Sequence, residues 1–152
     1  MNKKEHISFP VGGKILLEEI EFSTGGGGTN AAVSLARLGF NVAYLGEMGL
    51  DDYSSAILQN LGKEGIDTSL VSVKKNAKVG FSVVIDDKGC DRTILSFRGS
   101  NSDLRWDEIR KSKLKTKWFY FSSMMKESFK TLIRLSEYAE QKNIQIAFVL
   151  SP

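Results

Sequence analysis

The chain has few of the residues that mark several functional classes. Its 152 residues include one cysteine and one histidine. A lone cysteine, Cys90, cannot close an internal disulfide and fits a reducing compartment, so a cytoplasmic protein is expected. Cys90 follows Gly89 in a predicted turn, a poor setting for a catalytic thiol. The single histidine, His6, has no second ligand-type neighbour, so no metal site is expected. No apolar run approaches the roughly 20 residues that span a bilayer. The basic start, Met1 to Lys4, is not followed by the apolar segment of a signal peptide, so no membrane partner is expected. Charge of one sign is also lacking, because 21 basic residues meet 18 acidic ones. The densest basic stretch, Arg110 to Lys117, follows Asp103, Asp107 and Glu108. It reads as a solvated helix end rather than a one-sided nucleic-acid surface.

What is present is ordinary for a globular domain. Hydrophobic residues make up 41%, and 14 glycines bring the apolar share to that of a soluble protein. A single domain of this length buries roughly 70% of its unfolded surface. Lys14 to Phe22, with Ile15, Leu17, Ile20 and Phe22 among three glutamates, reads as a strand with a wet face. Gly25 to Gly28 break that pattern. Ala31, Ala32, Leu35, Ala36 and Leu38 then recur at helical spacing, and Gly39 stops the helix. Asn41 to Leu45 reads as a buried parallel strand, followed by a turn at Gly46 and Gly49. Asp51 or Asp52 caps a helix running to about Leu61, with Gly62 and Gly65 closing it.

Further along, Lys78 to Asp86 and Arg92 to Phe97 are β-rich and joined by the hairpin signal Asp86 to Gly89. Asp103 to Lys111 predicts a short helix, and Trp118 to Phe121 a strand. Glu127 to Lys142 predicts an amphipathic helix, and Ile144 to Leu150 a buried strand. Strand and helix alternate at both ends around a hairpin, which predicts an α/β fold: a parallel sheet with flanking helices and a small β appendage. So few core strands leave an apolar edge and an uncovered face, and an incomplete sheet is expected.

The most informative stretch is Gly25-Gly26-Gly27-Gly28-Thr29-Asn30, opening a helix. Glycines admit a ligand close to the backbone, and a first helical turn offers unpaired N–H groups. One reading is a dinucleotide (NAD or FAD) fold, with Gly25 and Gly27 in the turn and Glu47 about twenty residues on to hold a ribose. Against it, Asn30 stands at the third glycine position, and Glu18, Glu19 and Glu21 line the preceding strand. A second reading is a non-catalytic sugar-binding module.

The third reading rests on a longer pattern. Gly25 to Ala32, then Leu38-Gly39, then Leu45-Gly46-Glu47-Met48-Gly49-Leu50-Asp51 resemble the first signature of the ribokinase-like (PfkB-type) carbohydrate kinases. Leu61 to Asp67, Gly89 to Leu95, and Gly99-Ser100-Asn101 with Leu104 resemble later segments of that family in the same order. The resemblance runs from about Phe9 to Pro152. It implies a partial ribokinase-like domain over 1–152, with lid strands near 11–22 and 78–97, and a homodimer through the lid. It implies ATP and Mg2+ as cofactors, and a sugar, sugar acid or nucleoside as substrate. Carried over by position, Gly25, Gly26 and Asn30 match sugar-hydroxyl contacts, while Asn30 as a helix N-cap is the bland alternative. Gly27 stands where some members carry lysine. Arg92 and Arg98 flank a lid strand and suit a sugar carboxylate, or a solvated surface. The sequence departs from the family in having no Gly-Ala-Gly-Asp motif, the source of the family's catalytic base and anion-stabilising helix start. A truncated sugar-binding portion, inactive alone, is therefore expected, with no catalytic residue assigned.

Overall fold

Two parallel strand pairs and one antiparallel hairpin carry the fold. The computed structural model describes residues 6–86 and 92–149. In chain order the elements are α1 (Gly27–Arg37), β1 (Ala43–Gly49), α2 (Asp52–Lys63), β2 (Asp67–Lys74), β3 (Phe81–Asp86) and β4 (Arg92–Phe97). After three short 3-10 turns come β5 (Trp118–Phe121), α3 (Lys126–Lys142) and β6 (Gln145–Phe148). β1 and β2 pair in parallel with α2 as their crossover, and β5 and β6 do the same through α3. Among the described residues no helix is long and apolar enough to cross a membrane.

The alternation of β1 places a different cluster on each of its faces. Leu45, with Leu70 of β2, packs on a core of Leu104, Ile109, Leu114, Phe121, Leu132 and Leu135. Tyr44 and Met48 face the other way, onto Ala32, Leu61, Ile66 and Val79. A strand buried on both faces is what a parallel sheet requires. Between β4 and β5 the chain lies over α3. Ser128 Oγ accepts from Leu104 N at 2.9 Å, and Thr131 Oγ1 donates to Leu104 O at 2.8 Å. Both polar groups of a buried backbone unit are thereby satisfied from one helix.

Four expectations change. Lys14 to Phe22 lies in no strand: Leu17, Ile20 and Phe22 are exposed, and no described segment supplies the ladder a strand needs. Gly46 and Gly49 are not a turn but the end of β1, whose register runs to Gly49 opposite Lys74. Its partner is β2, which no pattern in the sequence marks as a strand. Gly25 and Gly26 precede α1, but Gly27 and Gly28 belong to its first turn. Asp103 to Lys111 forms no single helix. Leu104, Ile109 and Leu114 are all buried, yet residues five apart are rotated about 140° around a helix and cannot share its face. Short 3-10 turns at Trp106–Glu108 and Lys111–Lys113 bring them inward instead. The expected hairpin turn at 87–89 and Cys90 lie outside the described residues, although β3 and β4 pair antiparallel up to Asp86 opposite Arg92.

Asp51 is the α2 cap, its Oδ1 accepting from Ser54 N at 2.8 Å. Partial burial pushes its carboxyl upward, but hydrogen bonds from Ser54 and Val79 outweigh this and hold it below the ordinary carboxylate value. A carboxyl held low adds stability that is complete above its unfolded pKa of about 3.9 and fades as pH falls through the lower folded value. The thermal midpoint should therefore fall on acidification below about pH 4, and less steeply in Asp51→Asn. Beside it, a Cβ on Gly49 would lie 2.1 Å from Ala77 O and 2.4 Å from Asp51 Oδ2. Gly49→Ala should cost at least about 2 kcal/mol in denaturant unfolding, because the backbone carbonyl cannot turn aside.

Candidate functional site

The glycine turn is organised by Thr29, a residue the sequence pattern does not single out. Gly26, at φ 105°, is the N-cap position of α1 and offers no capping side chain. Thr29 does the work from inside the helix. Its Oγ1 lies 2.6 Å from Gly25 O and 3.0 Å from Gly26 O, while Asn30 N donates to Gly26 O at 2.9 Å. The visible signal was a threonine three residues after a glycine cap, where a hydroxyl can bond back to the turn.

This arrangement removes the bland explanation of Asn30. Asn30 is the fourth residue of α1, not its cap, and is exposed. Its side chain makes no hydrogen bond among the described residues, and a Cβ on Gly25 would lie 3.8 Å from its Oδ1. One free amide, offering donor and acceptor together, therefore stands beside an open stretch of backbone.

The four glycines divide into two pairs. Gly25 and Gly26 face open space, with only Asn30 and Thr29 near a would-be Cβ. Gly27 and Gly28 serve packing. A Cβ on Gly27 would fall 2.9 Å from Ser122 Oγ, and one on Gly28 would fall 3.4 Å from the Tyr44 hydroxyl. The start of α1 thus rests on β1 and on the residue that follows β5. Burial beneath this contact raises the Tyr44 phenol above its ordinary pKa.

Arg92 and Arg98 are not brought together. Arg92 opens β4 opposite Asp86, and Arg98 follows its last residue. Six residues of strand put about 20 Å between them, so one small sugar cannot meet both. Glu47 is also displaced from the role a dinucleotide fold would give it. It points to the face of β1 opposite Tyr44, away from α1, and is 4% exposed. There Lys74 Nζ lies 2.7 Å from Glu47 Oε2 and 2.9 Å from Glu108 Oε1. The contact to Glu47 Oε2 falls outside hydrogen-bond geometry and is chiefly ionic. Burial works to lower the Lys74 pKa, but the two carboxylates outweigh it and hold it above the ordinary lysine value. A cleft of about 370 Å³ opens beside these groups, lined also by Asp103, Arg105 and Glu127 but by no residue of the glycine turn.

The turn carries no charged side chain and no general base. It can present an amide and backbone groups to hydroxyls. Among the described residues no group of three or more His, Cys, Asp or Glu side chains could hold a metal ion. The sequence also has no P-loop and no Gly-Ala-Gly-Asp motif.

Comparison with known proteins gives a consistent picture. Residues 2–151 match the family described as pfkB family carbohydrate kinase. The ribokinase of Bacillus subtilis (strain 168) is 36% identical over 80 residues, which are 53% of this chain and 27% of that protein. Among solved structures, Sa239 superposes with a TM-score of 0.82 at 22% identity, covering 97% of this chain and 49% of that one. The 2-dehydro-3-deoxygluconokinase of Thermotoga maritima gives 0.79 at 19% identity, covering 89% and 44%. The fold is therefore ribokinase-like, and the chain spans less than half the length of each of these proteins.

The division of the glycines is testable by unfolding. Gly26→Ala should lose about 1–3 kcal/mol, because φ 105° is a glycine conformation. Gly25→Ala should stay within about 0.5 kcal/mol of the parent.

Proposed function

Because this chain belongs to the pfkB family of carbohydrate kinases, matched over residues 2–151, we propose that it is the sugar-binding portion of an ATP-dependent sugar kinase. Gly25, Gly26 and Asn30 hold the hydroxyls of a sugar, sugar acid or nucleoside. The observation that carries this reading is the Asn30 amide, exposed, without a side-chain hydrogen bond and set against the open Gly25 backbone. A hydroxyl donates and accepts at once, and a carboxamide answers both needs at short range. At most one of Arg92 and Arg98 meets a substrate carboxylate, given their separation along β4.

The β3–β4 hairpin, with the segment 11–22, forms the lid. Phe81, Val83, Val84, Ile94, Leu95 and Phe97 leave the hairpin apolar and exposed. One face covers the sugar and the other meets the lid of a second copy. Phosphoryl transfer depends on placing the acceptor hydroxyl and stabilising charge on the moving phosphoryl group. This chain's share is the placing. The base that deprotonates the hydroxyl, and the groups that bind ATP and Mg2+, belong to parts of the kinase outside these residues. The cytoplasm, with its ATP and reducing conditions, is the proposed compartment.

A thermal-shift panel of sugars, sugar acids, nucleosides, ATP–Mg2+, NAD and FAD tests the reading, since a ligand of the folded state raises its apparent stability. A carbohydrate or nucleoside should raise the midpoint, with no phosphorylation of it by this chain and ATP. Stabilisation by NAD or FAD alone would sink the proposal. Asn30→Ala should weaken sugar binding about tenfold, as expected for loss of a hydrogen-bonding pair, while unfolding at the parent temperature.

A further inference from the structure

The β3–β4 hairpin is an arm whose root is tied to the rest of the chain at a few polar points. Val79 belongs to the body, 7% exposed and packed with Met48 and Leu61. Two residues later the arm is exposed, and its return crosses back at Arg98 and Gly99. There Gly99 takes φ 49°, and its missing Cβ leaves room for Lys78 O, which would lie 2.2 Å away. Ser100 N donates to Lys78 O at 2.8 Å and Ser100 Oγ to Glu47 O at 2.9 Å, which pins the return strand to β1.

The outgoing strand is held differently. Asp51 Oδ1 accepts from Ser54 N at 2.8 Å, inside α2. Its Oδ2 accepts from Ser54 Oγ at 3.1 Å and reaches Val79 N at 3.4 Å, across to the root of the arm. Ser54 Oγ in turn accepts from Gly49 N at 3.1 Å, at the end of β1. At the second residue of α2, the Tyr53 ring meets Phe81, the first residue of β3, with centroids 5.6 Å apart. A helix cap needs one oxygen. The second oxygen of this carboxylate, besides the Ser54 hydroxyl, meets a backbone N–H outside the helix.

We propose that Asp51 is a positioning residue that latches the β3–β4 arm, tying the arm's root to the first turn of α2 through the Val79 N–H. The arm's angle to the body is then set by an acceptor that also caps α2. A displacement of the root that carries Val79 away from α2 breaks this contact while the Ser54 cap stays in place. This holds whatever the arm covers, and it does not rest on the sugar reading.

Hydrogen exchange on the whole chain, read by peptide, separates a latch from a cap. Asp51→Asn keeps an oxygen for Ser54 N but turns an NH2 toward the Val79 N–H, donor against donor. Asp51→Ser is a second capping residue, too short to reach Val79. In both, amides of 79–84 should exchange about fivefold faster, as loss of one net hydrogen bond implies. Amides of 54–60 should keep the parent rate. Unchanged exchange at 79–84 in both variants would overturn the proposal. So would equal acceleration in 54–60 and 79–84, which would make Asp51 a cap alone.

Discussion

Crowding at Gly49 is the constraint on which most of the architecture depends. Two groups meet where its side chain would be, at the last ladder position of β1: the Ala77 carbonyl and the Asp51 carboxylate. Only a residue without Cβ lets the chain beyond β2 return so close to β1. That return puts Val79 into the core beside Met48 and starts the β3–β4 arm from the edge of the parallel pair. With a larger residue the strand end, the α2 cap and the arm's root could not occupy one place. The glycines of α1 serve a related purpose with softer neighbours, since Ser122 and Tyr44 are side chains and can give way.

Local patterns were readable and distant pairing was not. α3 and β5 stood out because the periodicity of Glu127 to Lys142 and the run Trp118 to Phe121 lie within single segments. Gly39 marked the end of α1 for the same reason, its φ of 88° being the backbone turn a helix end calls for. β2 escaped notice, because Asp67 to Lys74 mixes polar and apolar residues and becomes a strand only against β1. Without that partner, Gly46 and Gly49 looked like a turn. Lys14 to Phe22 erred in the opposite direction. Its pattern is strand-like, but a pattern supplies no ladder, and its apolar residues are exposed.

The glycine turn was legible as a break before a helix, and its internal contacts were not. Gly25, Gly26 and Asn30 could be named from the sequence, and the structure puts Asn30 inside the helix with its amide free of any capping duty. Thr29 was invisible as the organiser, because a threonine near a helix start has several bonding choices and only the fold selects one. Glu47 shows the reverse case. Its distance along the chain suited a ribose ligand, but the alternation of β1 turns it to the opposite face, where Lys74 holds it. Spacing in sequence says nothing about which face a strand residue takes until the strand's limits are known.

The grip of α3 on Leu104 bears on how the chain comes to be made. Leu104, Ile109 and Leu114 leave the ribosome before Ser128, Thr131, Leu132 and Leu135, the residues that bury them. At about 5–20 residues per second, Leu104 waits about one to five seconds for Thr131 to be synthesised. During that interval three large aliphatic side chains and an unsatisfied backbone unit lack the native cover of α3. The stretch from Leu104 to Leu114 is thus open to chaperones, and to neighbouring nascent chains, during that interval.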